Sequence, residues 1–209
     1  MDSTIDPRLV QALQRQQIRR RALLDSGAAH VGWKIGDGRR ERIGGQVVIG
    51  YLTSDSLHPD GGVIEDAMEE PRAEVEVAVE LGAPIKRSDR DRSIWSAIAG
   101  FRTALEICDI ARPRGEDAAL IVEENVFHNG LALGPAEPAT PCGAASIYVN
   151  GGLIDAAPIE RDFVGLLRWT AVLLHSLDLE LVPGDVIITG GLVHVPVTHG
   201  ELGSRQWPR

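Results

Sequence analysis

The sequence predicts a β-rich α+β fold, and three features point to it. Apolar runs of strand length recur along the chain, as in "HVGWKIG", "RAEVEVAV" and "VPGDVIITGG". Helical periodicity is confined to a few segments, led by "RLVQALQRQQIRRRALLDSG". Strands and helices do not alternate regularly, which argues against a doubly wound parallel sheet.

The elements follow in order. Asp6 with Pro7 is an N-cap with proline at the first helical position, and the pattern runs from about 7 to 25 before Gly27 stops it. The Arg19, Arg20, Arg21 cluster on that helix reads as a solvated face. "HVGWKIG" (30–36) is a glycine-bounded strand, and "GGQVVIGYL" (44–52) is another. "LHPDGGVIE" has turn chemistry, "RAEVEVAV" (72–79) is a strand carrying acids, and "KRSDRDRS" (86–93) is a charged loop. Ile94, Ile98, Phe101 and Leu105 recur at helical spacing, so a helix leads into "ALEICDI", whose end reads as a strand. "LGPAEPATPCG" is a proline-rich connector, and "ASIYVNGGLI" is a hairpin turning at Asn150-Gly151. An amphipathic helix over about 161–177 precedes a turn and a buried strand in "VPGDVIITGG".

Composition narrows the function. The chain has 209 residues, 44% hydrophobic and 24% charged, which suits one catalytic domain over 1–209, with residues 1–29 as a helical segment packed on it. A net charge of -9 repels phosphate backbones, so nucleic acid is excluded as a partner. No apolar stretch reaches bilayer length and "MDSTIDPRL" lacks a signal-peptide core, so no membrane partner and a cytoplasmic location are expected. Cys108 and Cys142 have no metal-site or disulfide-framework spacing and read as small buried or half-buried residues.

The informative stretch is "RAEVEVAV". Side chains alternate on a strand, so Val75, Val77 and Val79 share one face while Glu74, Glu76, Ala78 and Glu80 share the other. Two glutamates spaced roughly 7 Å along a strand can converge on one point. Carboxylates sharing a site raise one another's pKa, and a divalent cation with oxygen ligands relieves that cost. Glu106, alone inside the apolar "TALEICDI", is a third candidate. The plain alternative puts the valines in the core and the glutamates in water.

The sequence resembles the fumarylacetoacetate hydrolase superfamily, and within it the 2-keto-4-pentenoate hydratase and 4-oxalocrotonate decarboxylase branch. The matching stretches, in the family's order, are "VGWKIG", "GYLTSDS", "PRAEVEVAVELG", "ALEICD", "EENVFHNGLALG", "VNGGLI", "GLLRWTAVLL" and "PGDVIITGGL". The resemblance implies a mixed β-roll or barrel with an N-terminal helix and two or three packed helices. It implies that Glu74, Glu76 and Glu106 bind Mg²⁺ or Mn²⁺ and that a 2-oxo acid chelates the ion through its C1 carboxylate and C2 oxygen. Lys34 and Asp55 are the implied proton-transfer residues, and Leu52, His128, Thr189 and Gly190 the implied substrate contacts. In the hydratases a 2-hydroxydienoate such as 2-hydroxypenta-2,4-dienoate is ketonised, and water then adds at C4 to give a 4-hydroxy-2-oxo acid.

The chain also departs from the family. Relatives commonly carry small hydroxyl residues where Phe127 and His128 stand, preceded by Asp-Asn rather than Glu124-Asn125. The N-terminal region is shorter, and "HGELGSRQWPR" stands where relatives continue into a closing strand, which leaves a sheet edge for a partner subunit. The expected function is a metal-dependent hydratase in aromatic catabolism, forming a homo-oligomer, dimer or larger. The alternatives are a 2-oxo-acid decarboxylase on the same scaffold, a C–C hydrolase of acylpyruvates, and a non-catalytic binding or assembly member.

Overall fold

Asp6 caps the first helix by accepting from the Arg8 N–H, and α1 then runs over Pro7–Asp25 in the computed structural model. The structure describes residues 6–36, 47–64, 67–114 and 117–197, and the backbone of 202–205. After α1 come β1 (His30–Gly36), β2 (Val48–Thr53), a 3-10 turn at Ser54–Ser56 and the short β3 (Leu57–His58). The long β4 (Pro71–Leu81) follows, then α2 (Asp91–Ala97), β5 (Ile98–Asp109), α3 (Ala118–Glu123) and β6 (His128–Leu133). The chain closes with β7 (Ala144–Val149), β8 (Gly152–Pro158), α4 (Phe163–His175), β9 (Val186–Ile188), β10 (Val193–Pro196) and β11 (Leu202–Arg205).

The main sheet is mixed, with order β2-β1-β9-β4-β5-β6-β3, and it curls into a half-barrel. β9 and β10 both pair with β4, at Ala78–Glu80 and Arg72–Val75 respectively. The link between them bulges opposite Glu76 and Val77. A second sheet, β11-β7-β8, contains the Asn150-Gly151 hairpin, whose turn residues have φ of 50° and 77°. That pair suits the two-residue hairpin turn the sequence predicted.

β4 organises three cores. Val77 and Val79 pack with Leu13, Trp33, Leu167 and Leu174 under the helices, whereas Val75 and Ala73 pack with Ile147 and Val195 of the small sheet. The opposite face, with Ala78, meets Leu52, Ala104, Leu131 and Ile188 inside the curl. Each fully buried valine contributes roughly 1.5–3 kcal/mol. Both faces of β4 are therefore interior, and the reading with glutamates in water does not hold: Glu76 is 1% exposed.

Several boundaries differ from the sequence expectation. The helix read through Ile94, Ile98, Phe101 and Leu105 stops at Ala97, because Ile98 onward pairs with β4 along its length. The strand expected over 44–52 is Val48–Thr53, and residues 44–46 lie outside the described residues. The helix expected at 161–177 is Phe163–His175, with Asp162 as its cap. The Arg19–Arg21 run is not simply solvated: Arg19 lies 3.7 and 3.5 Å from Glu123 and Glu124, and Arg20 stacks 4.9 Å over Trp33. Near the C-terminus Leu202–Arg205 pairs with β7 and forms an edge of the small sheet. Among the described residues no helix is long and apolar enough to cross a membrane.

Candidate metal centre

Cross-strand register builds the site. Glu74 stands opposite Glu106 in the β4–β5 pair, and His194 of β10 stands opposite Glu74 on its other side. Lys34 of β1 is level with Ile188 of β9, which is level with Ala78 of β4. His128 of β6 is level with Cys108 of β5. Partners across a ladder share a face, so all these side chains look into the half-barrel.

Glu106 is the hub. Its Oε1 lies 2.6 Å from Lys34 Nζ and 2.6 Å from His128 Nδ1. His128 Nε2 reaches the Ser56 hydroxyl at 3.0 Å, and Lys34 also donates to the Val126 carbonyl at 2.9 Å. Glu76 Oε2 accepts from the Gly190 N–H at 2.7 Å, and Glu74 Oε1 lies 2.6 Å from His194 Nδ1. The Glu74 and His194 side chains, 20% and 46% exposed, form the open side, while Glu106 and Glu76 lie deep.

The carboxylates are driven apart in acidity. Burial, then the charges of Glu106 and Glu74, push the Glu76 carboxyl well above the ordinary range. Burial opposes ionisation of Glu106 too, but Lys34 and then His128 outweigh it and bring its pKa to about 2. Burial likewise works against the Lys34 ammonium, and the ionised Glu106 carboxylate beside it more than offsets that and holds its pKa above the ordinary lysine value. Burial raises the Cys108 thiol well above its usual value, so it is held neutral.

The donor set fits a hard divalent cation. Glu76 Oε1 and Glu106 Oε2 are buried without a hydrogen-bond partner, and an orphaned buried carboxylate oxygen is costly. Ligand atoms of Glu74, Glu106 and Cys108 lie within 4.8 Å of one another. A neutral thiol is a poor ligand for Mg²⁺ or Mn²⁺, which prefer oxygen. Glu74 and Glu106 could accordingly hold an ion, with Glu76, two residues along the same face of β4, as a further oxygen donor.

Solved structures share this architecture. The chain aligns with 4-oxalocrotonate decarboxylase from Pseudomonas putida G7, complexed with calcium and acetate, at TM-score 0.84 and 22% identity, covering 95% of this chain and 82% of that one. A Yersinia pestis CO92 protein assigned to the fumarylacetoacetate hydrolase family aligns at 0.66 and 18%, covering 85% and 88%. The chain has the fumarylacetoacetate hydrolase fold. Fumarylpyruvate hydrolase from Pseudomonas aeruginosa, in complex with Mn²⁺ and pyruvate, also shares it, at 0.61 and 16% with 85% of each chain covered. No protein-family model matches the sequence, and no curated protein matches it.

Within this fold the expected site residues divide into those that meet and those that do not. Lys34, Glu74, Glu76, Glu106 and His128 converge as described. Leu52 is fully buried in the interior apolar cluster, level with Gly32. Asp55 is exposed on the 3-10 turn, and its neighbour Ser56 makes the contact to His128. Thr189 is committed to the sheet, since its N–H and hydroxyl both donate to the Val77 carbonyl. The Gly190 N–H, expected to meet substrate, is taken by Glu76.

Sequence reasoning missed Ser56, His194 and the placement of Cys108. His194 carried a signal: in "LVHVPV" it alternates with valines as the glutamates of β4 do. Two surface cavities, of about 290 and 560 Å³, are lined by residues such as Arg87, His175, Trp33 and Glu180 and lie away from the carboxylates.

Proposed function

We propose that this chain is a divalent-metal-dependent enzyme acting on a small 2-oxo or 2-hydroxydienoic acid, as a hydratase converting 2-hydroxypenta-2,4-dienoate into the 4-hydroxy-2-oxo acid. The observation that carries the reading is the pair of buried, unpartnered oxygens, Glu76 Oε1 and Glu106 Oε2. Mg²⁺ or Mn²⁺ held by Glu74, Glu76 and Glu106 satisfies them. The similar structures complexed with calcium, and with Mn²⁺ and pyruvate, support it. Such an ion supplies a Lewis acid for the carboxylate and C2 oxygen of a 2-oxo acid.

The chain's own residues do the rest. Lys34 Nζ provides a fixed positive charge beside Glu106 for the anion that develops on the substrate. His128 Nε2, backed by Glu106 at Nδ1, is placed to hold or move a proton through the Ser56 hydroxyl. Leu52 and its apolar neighbours keep water from the interior. Asp55, exposed, has no part in this scheme.

A second reading, decarboxylation of a 2-oxo acid, is favoured by the likeness to 4-oxalocrotonate decarboxylase over 95% of this chain. Both reactions need the same stabilised C2 oxyanion, so the ligand set does not separate them. Assays with 2-hydroxypenta-2,4-dienoate and with 4-oxalocrotonate, each with Mn²⁺ and then EDTA, do. Hydration consumes the dienoate without gas release, and CO₂ from 4-oxalocrotonate supports the second reading. Turnover undiminished by EDTA rejects the metal in either case. A homo-oligomer built from one catalytic domain belongs to the same proposal and is tested by light scattering.

A further inference from the structure

Asn125, Val126 and Phe127 have φ of 64°, 54° and 64°. A run of L-residues in the left-handed region, with a β-branched valine at its centre, is disfavoured at every position. It persists only where its surroundings impose it, and such segments cluster at functional sites.

What imposes it is visible. Asn125 is buried, the residue being 7% exposed. Its Oδ1 accepts from the Tyr51 N–H at 2.7 Å and its Nδ2 donates to the Tyr51 carbonyl at 3.0 Å, so the amide docks on β2 as a strand neighbour would. The Val126 N–H donates to the Ile121 carbonyl at 2.8 Å, and the His128 N–H to the Asn125 carbonyl at 3.1 Å. What the turn delivers is the Val126 carbonyl, 2.9 Å from Lys34 Nζ. Gly50, next to Tyr51, makes the arrangement possible: a Cβ there would lie 2.7 Å from both Asn125 Oδ1 and Lys34 Cγ.

We propose that Asn125, with Gly50 beneath it, is a positioning residue for Lys34. The amide clamps the left-handed turn to Tyr51, and the Val126 carbonyl then fixes the ammonium against Glu106. The inference rests on the surroundings of Lys34 and not on the identity of the substrate, and its test needs no turnover.

Lys34 and Lys86 are the only lysines in the sequence. Protein grown on ¹⁵N-lysine therefore reports each ammonium separately, and Lys86 is exposed. The wild type is expected to show one slowly exchanging ammonium, from Lys34. Asn125→Gly relieves the positive φ but removes the clamp, and is expected to speed proton exchange at Lys34 about tenfold or more, the scale of one lost charge-assisted hydrogen bond, while the amide spectrum stays that of folded protein. If asparagine served only to tolerate the left-handed conformation, glycine would leave the Lys34 signal unchanged, and that result overturns the proposal. So does a wild type without a protected Lys34 signal. Should the glycine variant not fold, Asn125→Asp keeps the acceptor for Tyr51 but loses the donor. Intermediate exchange supports the clamp, and a wild-type rate rejects it.

Discussion

Glu74 and Glu106 stand directly opposite each other on adjacent antiparallel strands, so two acids occupy a cross-strand position where like charges repel. His194 flanks one at 2.6 Å and Lys34 the other at 2.6 Å. Lys34 and His194 flank the pair from outside, and the deep oxygens of Glu106 and Glu76 are left without partners.

Thermal unfolding with and without Mn²⁺ tests whether that arrangement serves an ion. At a hundredfold excess over Kd, Mn²⁺ should stabilise the wild type by about 2.7 kcal/mol. Glu74→Gln should lose most of that gain. Glu76→Gln should lose it too, while the metal-free variant becomes more stable than wild type at neutral pH by on the order of 1 kcal/mol, since a carboxyl whose ionisation is opposed by burial and by the charges of Glu106 and Glu74 gives way to a neutral amide. An equal Mn²⁺ shift in Glu74→Gln would count against the ligand set.

Lys34→Met should be costly. It leaves the buried Glu106 carboxylate with His128 as its remaining close partner, and breaking a buried ion pair from one side costs about 3–5 kcal/mol. Adding Glu106→Leu should recover part of the loss, because the two sites are coupled. Urea unfolding of the single and double variants gives the cycle, and strict additivity would mean that the pair contributes nothing.

Gln16 ties the N-terminal helix to the body. Its side-chain nitrogen donates to the carbonyls of Ile49 at 2.9 Å and Val122 at 2.6 Å, and the residue is fully buried. Gln16→Leu should lower the unfolding free energy by about 1–3 kcal/mol. A denaturant midpoint unmoved from wild type would show that α1 is held by its apolar face alone.

Asp109 sets an acid limit. Burial opposes its ionisation, but the backbone N–H groups of Glu70, Glu69 and Ala111 and the Arg112 side chain outweigh that and hold its pKa below the ordinary value. A depressed carboxylate pKa stabilises the fold above the unfolded value, near about 3.9, and the gain is lost as pH falls through the lower folded value. Wild type should therefore lose stability below about pH 4, and Asp109→Asn should lack that share of the slope. Parallel pH dependences in the two proteins would assign the slope to other carboxylates.

Local chemistry was legible where the cause is local. Asp6-Pro7 and the periodic run from Arg8 to Gly27 specify α1 by capping and periodicity, and Asn150-Gly151 specifies its hairpin by tolerating positive φ. The E-x-E alternation put Glu74 and Glu76 on one face of β4, as found. It could not say that this face is interior, because that depends on the curl of the whole sheet and on Leu52, Ala104 and Leu131 arriving from other strands.

By itself the sequence determined the helix at the N-terminus and the acidic strand, since each follows from spacing between near neighbours, and the order of its motifs carried the resemblance that implied the fold. Tertiary structure alone decided that Ser56 and not Asp55 reaches His128, that His194 flanks Glu74, and that the helical period after Ile94 yields to β5. Those are matters of register between segments far apart in the chain. Register is set by which faces are buried together, and the local pattern does not carry that.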